Sequence, residues 1–186
     1  AACQNLGERV DVVYHLNYEG AEDRTVQVYT GTSAKNWKAP RGGFKLVGWY
    51  SDENCKNKYD FSQIVTKETH LYAAWKVYAG RILVTFDYNY PGCRTGVTSS
   101  VERDEIIEAK HIPADAARKG MKQTGWYKDA AATQKWDFAT DKPSGDITLY
   151  AGWEHSDTIK RDADGNPIYE NVNVNVWLAG NGQDTE

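Results

Sequence analysis

Val84-Thr85-Phe86-Asp87-Tyr88-Asn89-Tyr90-Pro91-Gly92 lies without gaps on Val12-Val13-Tyr14-His15-Leu16-Asn17-Tyr18-Glu19-Gly20, 72 positions earlier. Three further blocks follow in the same order. Gly48-Trp49-Tyr50 with Asp52 returns as Gly125-Trp126-Tyr127 with Asp129, and Tyr59-Asp60-Phe61 returns as Trp136-Asp137-Phe138, both at an offset of 77. Leu71-Tyr72-Ala73-Ala74-Trp75 returns as Leu149-Tyr150-Ala151-Gly152-Trp153 at 78. Ordered blocks with slowly growing offsets describe one unit used twice.

Each block reads as a strand. Val12, Tyr14, Leu16 and Tyr18 share one face against Val13, His15 and Asn17, and the second copy alternates in the same way. That period of two marks a half-buried strand. Gly, Asn and Asp supply the turns between blocks, as in Ser51-Asp52-Glu53-Asn54. The growing offset puts four extra residues between Pro113 and Gly120 of the second copy. Pro113 through Gly120 is expected as a short helix, with Pro in its first turn and Gly ending it. The fold class is therefore α+β, mostly β, in two tandem modules at 10–77 and 82–154. Residues 155–186 form a turn-rich segment followed by a further strand, from Ile168 to Trp177, which either begins another domain or packs back on the second module. The link Val77-Tyr78-Ala79-Gly80-Arg81 is short and partly apolar, which predicts a fixed or narrowly hinged end-to-end arrangement.

Composition fits this outline. The chain has 186 residues, 22 Lys and Arg against 26 Asp and Glu, a net charge of −4 and a pI near 5.6. An acidic balance argues against nucleic acid as a partner. No apolar run reaches the roughly 18 residues of a membrane span. Leu, Ile, Val and Phe make up only about 18% of the chain, a level that in a highly charged protein signals disorder. Here 7 Trp and 12 Tyr supply the apolar area instead. Trp49, Trp75, Trp126 and Trp153 recur at equivalent positions and are expected to fill two aromatic cores.

The four blocks together resemble the Listeria–Bacteroides repeat, also called the internalin B-repeat. Its signature appears as Val84 to Asn89, Gly125 to Asp129, Trp136 to Phe138 and Leu149 to Trp153, with the first-copy equivalents given above. The first copy departs at Tyr14-His15-Leu16, where the pattern has Phe-Asp-Tyr, and Met121 stands where Phe44 supplies a ring. The resemblance implies compact β-grasp-like (ubiquitin-like) modules in a secreted or surface-attached bacterial protein, acting as a spacer and a protein-interaction or adhesion segment. A carbohydrate-binding module using exposed aromatics is the alternative, and an accessory part of a larger secreted enzyme is a third reading.

No catalytic residue is assigned. Asp60 and Asp137 fall one to a copy, where a turn-capping role fits better than a paired-carboxylate site. His15, His70, His111 and His155 lack metal-ligand spacing, so neither metal nor cofactor is expected. Ser99-Ser100 has no nucleophile context. Asp162-Ala163-Asp164-Gly165-Asn166 has part of a calcium-loop pattern, but a strand rather than a helix follows, and it reads as an Asp/Gly turn. The unrepeated aromatics Trp37, Tyr78 and Trp177 are the candidate contacts for a protein or glycan at a cell surface. Ala1-Ala2-Cys3 matches the end of a bacterial lipobox, which makes Cys3 a candidate lipidation site. Cys55 and Cys93 are then either bridged in an oxidising compartment or free.

Overall fold

The computed structural model describes residues 7–93, 96–156 and 161–168. Eight strands form two sheets of four. In the first, β1 (Arg9–His15), β2 (Arg24–Tyr29), β3 (Phe44–Tyr50) and β4 (Thr69–Val77) lie in the order β2-β1-β4-β3; in the second, β5 (Arg81–Asp87), β6 (Val97–Glu102), β7 (Met121–Tyr127) and β8 (Ile147–His155) repeat it as β6-β5-β8-β7. The central pair of each sheet is parallel, Val12 opposite Thr69 and Val84 opposite Ile147, and the flanking pairs are antiparallel.

The repeated signature has a physical reason at each position. Val12, Tyr14, Leu71, Ala73 and Trp49 close one core; Val84, Phe86, Leu149, Ala151 and Trp126 close the other. Trp49 and Trp126 are 1% and 3% exposed, so the expected aromatic cores are present. Trp75 and Trp153 are half-buried and bind the start of the module to its end: their indole N–H groups donate to the Leu16 and Tyr88 carbonyls at 2.6 and 2.8 Å. Asn17 and Asn89 adopt the left-handed backbone region, which Asn tolerates better than most residues. Their side chains donate to the Ala73 and Ala151 carbonyls. Asp52 and Asp129 each accept two successive backbone N–H groups, from Lys56 and Asn57 and from Thr133 and Gln134. Gly125 sits at a β-bulge with φ 134°, and a Cβ there would fall 2.7 Å from the Lys135 side chain. That is why glycine precedes the core Trp.

Helix is almost absent. A three-residue 3-10 turn at Ala109–His111 is the one helical element among the described residues, so the α+β expectation overstated the helix content. The expected helix from Pro113 to Gly120 does not form. A helix of eight residues is too short to meet the cost of nucleation by itself, and another partner takes the backbone: Ala116 N–H donates to the Gln123 side-chain carbonyl at 3.0 Å. The stretch has no regular secondary structure up to a turn closed by the Met121 N–H on the Arg118 carbonyl. The Asp162 loop is an Asp/Gly turn in which the Asp162 carboxylate accepts the N–H groups of Asp164 and Asn166. Most of the expected strand from Ile168 to Trp177 lies outside the described residues.

Candidate interaction surface

The two sheets meet through a turn. Arg41-Gly42-Gly43-Phe44 is closed by the Phe44 N–H on the Arg41 carbonyl, with Gly43 at φ 77°. The Arg41 guanidinium lies 3.6 Å from the Phe44 ring centre and 4.1 Å from that of Tyr18, a cation–π arrangement. It then reaches into the second module, donating to Thr98 Oγ1 at 2.7 Å and to the Thr98 carbonyl at 3.3 Å. Burial at this junction brings its pKa down to about 10. Gly43 packs against Ser100 so closely that a Cβ would come within 2.7 Å of the Ser100 Cβ. From β4 the linker leaves with the Tyr78 N–H on the Gly43 carbonyl, and the Arg81 N–H returns to the Tyr78 carbonyl. Arg81 in turn donates to the Ser100 hydroxyl and carbonyl.

The face of the first sheet away from its core carries His15, His70 and Tyr72. Asp23 meets His15 Nδ1 at 2.6 Å, His15 Nε2 meets His70 Nδ1 at 2.8 Å, and His70 Nε2 meets Glu68 at 2.8 Å. The three contacts form one chain of side chains from Asp23 through the two imidazoles to Glu68. Tyr72 stacks on His15 at 4.5 Å. In the second module Asp87 and Thr148 stand at the two histidine positions. Beside this group a cleft of about 490 Å³ opens at the junction, with His15, Tyr18, Asp23, Tyr72, Gly96 and Thr98 in its wall.

Of the aromatics singled out from the sequence, Trp37 and Tyr78 lie in different settings. Trp37 is half-buried, stacked on Trp49 with Arg24 over its ring. Tyr78 is 52% exposed on the linker. Trp177 and Cys3 lie outside the described residues. Cys55 and Cys93 are free thiols rather than a bridge. Cys55 is held by its own module, between the Asn17 side chain and the Ala73 carbonyl, and burial raises its pKa. Cys93 packs on the second core. Among the described residues no group of three His, Cys, Asp or Glu is placed to hold a metal ion.

Two features were missed in the sequence. The histidine pair depends on the parallel register that sets Val13 beside His70, and pattern reading along the chain does not supply that register. Arg41 was legible: Arg118 stands 77 positions later, again two residues before a glycine. Arg118 lies over Tyr90 and Trp153 at 4.7 and 5.2 Å.

A repeated four-stranded unit with an aromatic core and an arginine-bearing turn defines a tandem structural module. The family model of the Listeria-Bacteroides repeat domain matches residues 11–74 and 83–152, and the chain belongs to this family. It is 33% identical over 147 residues to a protein of Evansella cellulosilytica that carries the name of a Gly-rich membrane protein, and 32% identical over 146 residues to another named as a membrane protein in the same organism. It is 30% identical over 163 residues to internalin H of Listeria monocytogenes. These alignments cover 76%, 76% and 86% of the chain but 16%, 21% and 28% of the relatives, so the chain matches a minor part of each. None of its described helices is long and apolar enough to cross a membrane.

Proposed function

We propose that the chain is a non-catalytic segment of a bacterial cell-surface protein, located outside the cell, that acts as a spacer and as a protein-interaction module. The modules are taken as 10–77 and 82–154, with 155–186 as a separate turn-rich segment. Each is read as β-grasp-like, because a parallel central pair flanked by antiparallel strands is the sheet order of that fold, here with an irregular crossover between the second and third strands in place of a helix. The observation that carries the reading is the junction itself. A three-residue linker and the Arg41 contact hold one module against the next, as a spacer of defined length requires. Membership of a family that includes internalin H supports the surface location. Tyr78 on the linker is the aromatic we place in a contact surface, and Trp37 is read as a packing residue.

Small-angle scattering at low protein concentration tests this. The native chain should fit one inter-module arrangement, and Arg41→Ala should broaden the distance distribution and lengthen its maximum while circular dichroism stays unchanged. A native chain already as broad as Arg41→Ala would rule out the spacer reading.

A further inference from the structure

The contact between the two modules has a donor side and an acceptor side, and the chain carries a second copy of each that no described residue fills. The donor is the turn at Arg41. The second module has the same turn, Arg118-Lys119-Gly120-Met121, closed by the same hydrogen bond, with Gly120 at φ 72° and the outgoing Ser156 N–H on the Gly120 carbonyl, as Tyr78 N–H is on Gly43. The neighbour differs. A Cβ on Gly43 meets Ser100, whereas a Cβ on Gly120 meets nothing within 4 Å. The Arg118 guanidinium stacks on its rings and, unlike that of Arg41, makes no hydrogen bond to a described residue.

The acceptor is the outer face of β6, where Thr98 takes the Arg41 hydrogen bond and Ser100 is only 2% exposed beneath Gly43. The matching strand of the first module is β2, with Thr25 in place of Thr98 and Gln27 in place of Ser100, and both are exposed. Asp11 stands beside Gln27 in the cross-strand register, where the second module has Leu83 beside Ser100. The free donor, for its part, carries Lys119 where the filled one has Gly42. A cation has been added to one half and a carboxylate to the other.

The geometry points to a second copy of this chain as the occupant: the Arg118 turn of one copy docks on the Thr25 face of the next, head to tail, repeating between molecules the contact that Arg41 makes within one. This deepens the reading of the chain as an interaction module and names its partner. Such a contact is heterologous and, between copies of this chain, propagates into open assemblies. It is weak in free solution because the internal contact has the benefit of a short tether, worth an effective concentration on the order of millimolar. Chains crowded on a surface approach that regime.

Sedimentation velocity on the full chain, up to about 1 mM, tests the proposal. The native protein should show a sedimentation coefficient that rises with concentration and falls back when salt is added. Arg118→Glu and Thr25→Arg should each remain monomeric throughout. An equimolar mixture of the two should form dimers and nothing larger, because each variant keeps the half that the other lacks. Lys119→Glu, which leaves the aromatic stack intact, repeats the donor arm should Arg118→Glu disturb the fold. A native chain that stays monomeric, variants that associate as the native chain does, or a mixture that fails to pair would each overturn the proposal. The scattering result on Arg41→Ala is read at low concentration and stands separately from all three.

Discussion

Trp126 sits edge-on to Phe86 at 4.9 Å and beside Tyr88, in a core it shares with Ile82, Val84, Val101, Ile107 and Leu149. Trp126→Ala should cost about 3–5 kcal/mol, enough to abolish the second of two unfolding transitions in a calorimetric scan while leaving the first in place. The carboxylates behave differently. Backbone N–H groups hold Asp52 and Asp129 below the usual Asp range. A depressed folded value means that their stabilisation is present above the unfolded value of about 3.9 and is lost as pH falls toward the folded one. Asp129→Asn should therefore flatten the acid limb of urea stability measured between about pH 5 and pH 2. Both residues belong to the Gly-Trp-Tyr-x-Asp block, so their importance could be read from the duplication. Their task of anchoring a turn through two N–H groups could not, because it depends on backbone directions that residue identity does not encode.

The stretch 113–120 is where sequence pattern and structure part. Pro and Gly bounded it like a helix, and alanine favoured one, yet Gln123 decided the outcome from beyond its end. The first module has Leu46 at that position and no insertion. In the second, Gln123 is 6% exposed, its carbonyl is taken by Ala116, and its Nε2 has no partner among the described residues. The insertion and the glutamine are thus one adaptation. Deleting Ala114 to Ala117 should leave a folded but less stable module, by about 1–3 kcal/mol for a buried polar group left unpaired. Adding Gln123→Leu to the deletion should recover most of that loss in a chemical denaturation series. The strands themselves were legible because alternation exposes one face and hides the other. Which strands lie side by side was not, since a parallel central pair joins segments more than fifty residues apart.

At the scale of the molecule, the junction determines what the pair of modules can do. Arg41→Ala should leave both unfolding transitions near their native temperatures, since each core is complete within its own module. The effect belongs to the scattering profile alone. The parallel pair has a consequence of its own. Because β1 and β4 are the first and last strands of their module and run the same way, the chain enters at one end of the sheet and leaves at the other. A tug on the two ends therefore slides these neighbours lengthwise, loading their ladder of bonds all at once instead of unzipping it rung by rung. With β5 and β8 arranged alike, a tether anchored to a wall and pulled by flow would meet two such clamps in series, each resisting as a block.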